Sequence, residues 1–270
     1  MREGIEVDAS GRTEVRRASH GANEPARSPR VLVIQPDPDV PIGQFGPWLE
    51  ESGVIIEMVC PFNGDPVPSR LDADGLIVLG GDMSSLDDAK YSWLEDIRSL
   101  VRSVATDSRP ALGICLGGQL MAQALGGETA VGDHGLETGV ASVQWRPAAT
   151  DDPIFCDLPN PFTVGTMHRD AISVLPPGAV WLGESTPYPH QAFRVADNMW
   201  GIQFHPEADH RQYELWAEAI GGPNNPAWQQ IQDGAHAFAL AEGSIALHCK
   251  KIAIRFAGIV HVDTRAKSRA

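Results

Sequence analysis

The sequence lacks the long apolar runs and the cysteine patterns that define several classes of protein. No apolar run reaches the roughly 18 residues that a membrane span needs, so we expect no membrane segment. The first residues carry charges in place of an apolar leader, which predicts that there is no signal peptide. The four cysteines form no Cys-x-x-Cys pair and no Cys/His cluster, so we expect neither a metal site nor a disulfide framework. These absences predict a chain of the reducing cytoplasm.

Positive charge is also scarce through most of the chain. The formal net charge is −14, and residues 31–247 carry −20, because residues 1–30 contribute +1 and residues 248–270 contribute +5. A body this acidic repels nucleic acid and anionic membranes. We therefore expect small-molecule or protein partners, and neither nucleic acid nor membrane. The sequence has no P-loop and no Gly-x-Gly-x-x-Gly fingerprint, and we predict no cofactor.

The pattern of apolar residues predicts an α/β fold. Residues 1–29 are polar and without periodicity, which predicts a disordered N-terminal extension. From residue 30, short aliphatic runs such as "RVLVIQ" and "GLIVLGG" alternate with helical patterns, as in a parallel sheet covered on both faces. After Glu128 the strand-like runs are separated by Pro, Gly and Asp, which indicates antiparallel strands added to that sheet. We therefore predict a doubly wound, mainly parallel sheet with added antiparallel strands in residues 30–220.

Residues 221–270 are predicted to form a helical C-terminal extension with a basic tail. Gly234 and Gly243 interrupt its apolar pattern and are the expected weak points of the helix. The segment is too short and too helical for a nucleotide-binding domain, so we interpret it as a packing or interaction segment.

One cysteine lies at a glycine-rich turn between a predicted strand, "PALGI", and a predicted helix, "GGQLMAQAL". The pattern Gly113-x-Cys115-x-Gly117 is the cysteine version of the Gly-x-Ser-x-Gly nucleophile elbow. Small residues permit the sharp turn, and the dipole of the following helix favours a thiolate. The backbone N–H of Leu116 is positioned to donate to an oxyanion. These residues alone fit a buried thiol as well as a nucleophile.

Two further stretches supply what a thiol nucleophile requires. In "WGIQFHPE", His205 follows a strand-like run, and Glu207 follows two residues later, after a proline that stiffens the turn. A cysteine, a base and a carboxylate that orients the base form a catalytic triad. In "LIVLGGDM", the N–H of Gly81 is a candidate for a second oxyanion donor. Each stretch alone also fits a structural role, but their joint occurrence at strand ends of one sheet favours the triad.

These motifs resemble those of the class I (triad) glutamine amidotransferases. "GICLGGQ" is similar to the nucleophile motif of that family, "QFHPE" to its histidine–glutamate motif, and "LGGDM" to its oxyanion strand. The resemblance covers about residues 31–220, and the first two motifs lie 90 residues apart. Within the family, the chain looks most similar to stand-alone, GMP-synthase-like amidotransferase domains. The resemblance implies a flavodoxin-like α/β fold.

The resemblance also implies a mechanism. Cys115 would attack the side-chain amide of glutamine while His205 accepts its proton and Glu207 orients the imidazole. The N–H groups of Gly81 and Leu116 would hold the oxyanion. Ammonia, protonated by His205, would leave the tetrahedral adduct, and the γ-glutamyl thioester that remains would be hydrolysed by water to glutamate.

The same resemblance implies a substrate-binding set. Gln119, one helical turn past the nucleophile, would help to bind glutamine. "TMHRDAI" is similar to the His-Gly-Asp loop of the family, with His168 and Asp170 matching and Arg169 in place of glycine. That arginine either recognises a carboxylate, for example of a γ-glutamyl peptide, or points to solvent.

Three functions stay open at this stage. The chain has only the glutaminase half, so its ammonia would pass to a separate synthetase subunit. Alternatively, the same triad would act as a γ-glutamyl peptidase on γ-glutamyl peptides or conjugates, without transfer. A third possibility is a non-catalytic partner or regulatory subunit that has kept the fold.

Overall fold

A computed structural model describes residues 27–220 and 222–267 of the chain, with the side chains of residues 27–220 and 222–264. The predicted disordered extension lies outside the described residues, apart from its last three. Among these, the Arg27 guanidinium donates two hydrogen bonds of 2.8 Å to the buried carboxylate of Asp74. The helices and strands, in chain order, are β1 (Arg30–Ile34), α1 (Phe45–Glu51), β2 (Ile55–Val59), β3 (Gly75–Val78), α2 (Trp93–Thr106), β4 (Ala111–Ile114), α3 (Leu116–Ala124), β5 (Glu128–Val131), β6 (Glu137–Trp145), β7 (Phe162–His168), β8 (Asp170–Val174), β9 (Val180–Glu184), β10 (Ala192–Val195), β11 (Met199–Ile202), α4 (His210–Ile220) and α5 (Trp228–Lys267).

A nine-stranded sheet in the order β2-β1-β3-β4-β11-β10-β9-β6-β7 forms the centre of the molecule. Its first five strands pair in parallel, and the remaining strands are joined antiparallel. Strands β5 and β8 form a separate antiparallel pair. Helices α2 and α3 cover one face of the sheet, and α1, α4 and α5 contribute to the core on the other face. The predicted doubly wound α/β sheet with added antiparallel strands is thereby confirmed.

The central parallel strands are buried along their whole length because helices cover both faces. Strands β3, β4 and β11 show only buried residues, which explains why their sequences are continuous apolar runs. Since these neighbours run parallel, their carboxyl ends meet at one edge of the sheet. In doubly wound sheets this edge is where ligands bind.

Helix α5 continues without interruption through both glycines that we expected to weaken it. Close packing explains why residue 234 is a glycine. The backbone of α5 passes the backbone of β6 at this position, and a Cβ added to Gly139 would lie 2.6 Å from the Gly234 Cα. Burial of Phe238, Cys249 and Phe256 against the sheet further stabilises the helix. The domain limits at residues 30 and 220 stay predictions. We propose that α5 belongs to the same packed unit, because it shares that core.

None of the helices in residues 27–220 and 222–267 combines the length and the hydropathy that a membrane crossing requires.

Candidate active site

A cleft of about 360 Å³ opens at the carboxyl ends of the parallel strands. It lies at the edge that the strand directions select for ligands. Most of the residues singled out in the sequence line it, namely Gly81, Cys115, Gln119, His168, Arg169, Asp170 and His205. Within the described part of the chain, no three His, Cys, Asp or Glu side chains are arranged to hold a metal ion.

Cys115 stands at the turn from β4 to α3, with a backbone conformation that is unusual for a residue with a side chain. Its φ is 50° and its ψ is −109°, and this strain persists because the surroundings fix the turn. The Cys115 N–H donates to the carbonyl of Ile202 at 2.8 Å. A Cβ at Gly117 would lie 2.0 Å from the carbonyl oxygen of Val78, and one at Gly113 would lie 2.5 Å from that of Gly117. The elbow glycines are therefore required by close packing of helix on strand.

His205 and Glu207 follow β11, beside the cysteine. The imidazole Nδ1 lies 2.7 Å from Oε1 of Glu207, and both side chains are buried. The backbone N–H of His205 donates to the Gly165 carbonyl at 2.9 Å. The imidazole ring packs on Trp216, with 4.6 Å between the ring centroids. A Cβ at Gly80 would lie 3.1 Å from Cε1 of His205 and 3.6 Å from Cβ of Cys115. The imidazole and the thiol therefore flank the same glycine.

The charges around His205 favour its protonated form. Burial lowers the pKa of His205, but the negative charges of Glu207 and Cys115, with hydrogen bonds to both, raise it more. The net result is a pKa of His205 well above its ordinary value. The second carboxylate oxygen of Glu207 is buried and has no hydrogen-bond partner among the described residues. The Glu207 carboxylate is thus held mainly through His205.

The two candidate oxyanion donors are neighbours. A Cβ at Gly81 would lie 2.9 Å from Cδ2 of Leu116, so the two residues meet across the turn. Leu116 is the first residue of α3, where backbone N–H groups have no partner within the helix. Neither N–H donates to another backbone group in the described part of the chain. The oxyanion role of these two N–H groups therefore stays a prediction.

Gln119 is buried one turn into α3 and links the nucleophile turn to the start of β8. Its Nε2 donates to the Asp170 carbonyl at 2.8 Å and to Oε1 of Gln203 at 3.2 Å. Gln203 Nε2 in turn lies 3.5 Å from Sγ of Cys115. Gln203 was overlooked as a site residue, although it belongs to the "QFHPE" stretch. The two amides form a chain of hydrogen bonds that ends at the sulfur.

His168 and Asp170 lie at the cleft, but their side chains already have partners. His168 Nδ1 faces the Asp170 carbonyl at 3.0 Å, and Nε2 faces Oε2 of Glu137 at 2.7 Å. The Asp170 carboxylate accepts a hydrogen bond from the Ser84 hydroxyl. Neither Glu137 nor Ser84 was identified from the sequence, because no local pattern links them to the loop. Their contacts fix the orientation of both candidate substrate-binding residues.

Arg169 is exposed at the rim of the same cleft. In the region that the structure describes, its guanidinium makes no ion pair. The position that departs from the family pattern thus presents a cation to whatever enters the cleft.

The fold is a doubly wound α/β sheet. Its site combines a cysteine at a strand–helix elbow with a histidine–glutamate pair at the end of the neighbouring strand, and these features together define a class of α/β proteins that carry a cysteine thiol in the ligand cleft. Residues 50–216 match the family described as glutamine amidotransferase class-I, over more than half of the chain. The chain belongs to this family of enzymes, which confirms the assignment made from the motifs.

Curated relatives agree with this family. The chain is 33% identical over 175 residues to a GMP synthase [glutamine-hydrolyzing] subunit of Archaeoglobus fulgidus, covering 64% of this chain and 87% of that one. It is 36% identical over 163 residues to a GMP synthase [glutamine-hydrolyzing] of Thermomicrobium roseum, covering 60% of this chain. The match spans only 28% of the length of that second relative.

Solved structures agree with the fold. A glutamine amidotransferase from Thermotoga maritima superposes with a TM-score of 0.74 at 24% identity. The match covers 85% of this chain and 98% of the other. The two chains therefore share the same α/β fold.

Proposed function

We propose that the chain hydrolyses the side-chain amide of glutamine to glutamate and ammonia through a Cys115–His205–Glu207 triad. The observation that supports this most is the strained elbow cysteine, lining the same cleft as a buried imidazole whose Nδ1 lies 2.7 Å from a buried carboxylate. A thiol nucleophile needs such a base, and the base needs such an orienting group.

The reaction takes place in two halves. The Cys115 sulfur forms a bond to the amide carbon, and the C–N bond breaks as His205 gives its proton to the leaving nitrogen. Ammonia departs, and a γ-glutamyl thioester remains. Neutral His205 then takes a proton from water, whose oxygen attacks the thioester carbon, and the C–S bond breaks to release glutamate. Glu207 stabilises the imidazolium in both halves through the bond to Nδ1.

Two kinds of contact support the reacting group. The N–H groups of Gly81 and Leu116 stabilise the tetrahedral oxyanion beside the sulfur. Gln119 and Asp170 contact the amino acid portion of glutamine, and His168, whose two ring nitrogens are already paired, orients Asp170 through its backbone carbonyl. The cleft volume of about 360 Å³ is at the small end of ligand sites, which suits a single amino acid.

Covalent labelling tests the assignment of the nucleophile. An electrophilic glutamine analogue should modify Cys115, and peptide mass spectrometry should find the label on no other cysteine. Half-buried Cys60 serves as the internal control, because it is more accessible than Cys115 but lies outside the cleft. Protection by added glutamine is expected. Labelling of Cys60 in preference to Cys115 would contradict the proposal.

We further propose that the ammonia passes to a separate synthetase subunit. This rests on the similarity to relatives that are themselves single subunits of a GMP synthase. A candidate synthetase subunit should increase the rate of glutamine hydrolysis on mixing. An unchanged rate with every candidate would favour hydrolysis without transfer.

A γ-glutamyl peptidase is the second candidate function, and the position of Arg169 favours it. The exposed guanidinium at the cleft rim is able to bind the carboxylate of a residue joined to the γ-glutamyl group. Arg169→Gly should then slow glutamate release from a γ-glutamyl dipeptide by up to about fivefold and leave glutamine hydrolysis unchanged. Arg211→Gly is the matched control, since Arg211 is exposed on α4 outside the cleft. Wild type that cleaves glutamine but no γ-glutamyl peptide would exclude this candidate.

A further inference from the structure

Helix α5 presents a solvent-facing side that is nearly free of charge. Four large apolar side chains point outward along it, with exposed fractions of 77% at Leu240, 64% at Leu247, 45% at Ile254 and 68% at Val262. Two exposed glycines, Gly243 and Gly258, lie between them, and a Cβ at either would meet nothing within 4 Å. These six residues, here called the apolar stripe, extend over roughly 33 Å of helix.

The composition of the stripe differs from that of an ordinary surface helix. Between residues 236 and 262, Lys251 is the charged residue at an exposed position, while Glu242, Lys250 and Arg255 are partly exposed and form ion pairs with His210, Glu51 and Asp157. By contrast, the exposed positions of α2 include Glu95, Asp96 and Arg102. Helices that face water carry charges on that side, and contiguous apolar patches on a surface mark interaction sites. The outer side of α5 therefore has the character of an interface.

The order of residues along the stripe indicates which partner fits. Leu247 and Ile254 are equally distant from the midpoint between Lys250 and Lys251, and so are Gly243 and Gly258. A twofold axis at that midpoint would place Leu247 of one chain against Ile254 of another, and glycine against glycine. Interfaces of this kind are self-complementary, and facing glycines let two helix backbones approach closely.

We propose that the apolar stripe pairs antiparallel with the same stripe of a second copy of this chain, forming a twofold dimer. A shallow pocket of about 450 Å³ adjoins one end of the stripe and is lined in part by Pro110, Pro153 and Val262. In the antiparallel register this end faces the region of Leu240 in the second copy. The most exposed side chain of the stripe thus meets a hollow that also includes Ile259 and is bordered by Asn198, Arg255 and Asp263.

Charge at the centre of the stripe is compatible with this pairing. Lys250 Nζ lies 2.7 Å from Oε2 of Glu51, which shows that the acidic end of α1 flanks the midpoint. Glu51 neutralises Lys250 within each copy, so Lys251 is the charged residue that each copy brings toward the axis. Long lysine side chains also direct their charge toward water at the edge of such a contact.

A charge-swap experiment tests the pairing and its register. Wild type at high micromolar concentration should have twice the chain mass of 29.1 kDa by light scattering after size exclusion. Leu247→Glu and Ile254→Lys should each weaken the dimer at least about a hundredfold, because each buries an unpaired charge. The double variant should restore the dimer, since each new glutamate then faces a new lysine. Val174→Glu, at an exposed apolar residue of β8, is the control and should leave the mass unchanged.

The outcomes are distinct from those of the glutamine assay. Circular dichroism confirms that each variant is folded. A wild-type mass of one chain would overturn the proposal. It would do so even if a synthetase subunit or residues 1–26 were then found to cover the stripe. A dimer that survives Leu247→Glu would show that another surface is used. Two monomeric single variants without rescue in the double variant would refute the antiparallel register.

Discussion

The pairing of His205 with Glu207 yields a quantitative prediction for the variant Glu207→Gln. The substitution keeps the size of the side chain but removes the negative charge 2.7 Å from Nδ1. A hydrogen bond to a charged group contributes about 1.5–3 kcal/mol. If that energy stabilises the imidazolium in the transition state, kcat/KM for glutamine should fall roughly ten- to a hundredfold.

The pH dependence of the same variant has a definite sign. The folded-state pKa of His205 lies well above its ordinary 6.5, because the lowering by burial is outweighed by the charges of Glu207 and Cys115 together with the hydrogen bonds to both. The stabilisation from this pair is therefore complete below pH 6.5 and is lost as the pH rises through the folded-state pKa. Glu207→Gln should lower the pKa of His205. The alkaline limb of kcat/KM should then move to lower pH, and the stability deficit should be larger at acid than at alkaline pH.

A second His–Glu pair on the surface supplies the matched control. His210 Nδ1 lies 2.8 Å from Oε2 of Glu242, but this imidazole is half exposed. Glu242→Gln removes an ion pair of similar geometry. It should change the free energy of unfolding by less than about 1 kcal/mol and leave kcat/KM unchanged. Ammonia release across a pH series measures both variants. An unaltered pH–rate profile in Glu207→Gln would refute the reasoning.

Two further predictions concern the fold around the site. Gly117→Ala should lower the free energy of unfolding in urea by about 1–3 kcal/mol and reduce activity, because the new Cβ would lie 2.0 Å from the Val78 carbonyl oxygen. A variant of wild-type stability would contradict that packing argument. Asp152→Ala should cost about 3–5 kcal/mol, because the buried carboxylate accepts hydrogen bonds from Arg194 at 3.0 Å and from the Trp200 indole at 3.2 Å. A loss below about 1 kcal/mol in the same unfolding assay would show that the Asp152 contacts contribute little.

Much of the fold was predictable because its signals are local. Continuous apolar runs such as β3 and β4 are typical of strands that are covered on both faces, and the structure confirms the parallel sheet that they indicated. The glycines around Cys115 have an equally local cause, since close packing of α3 on the strands excludes a Cβ at Gly117. Their spacing therefore carries structural information even in a single sequence.

The contacts that were not predicted depend on long-range register. Glu137 reaches His168 because the two residues are direct partners across β6 and β7, and sequence alone does not specify that register. Likewise, Gly234 was expected to weaken α5, but it is the point where the helix passes Gly139 of a distant strand. Such pairings become visible only when the chain is folded.

The central claim is that Cys115 is the nucleophile of glutamine hydrolysis. The most direct measurement is ammonia release from glutamine by wild type, Cys115→Ala and the control Cys156→Ala, with and without a candidate synthetase subunit. Wild type and Cys156→Ala should release ammonia at equal rates, because Cys156 lies outside the cleft. Cys115→Ala should lose at least about a thousandfold in rate. Ammonia release that persists in Cys115→Ala, or that is absent from wild type under every condition, would contradict the account.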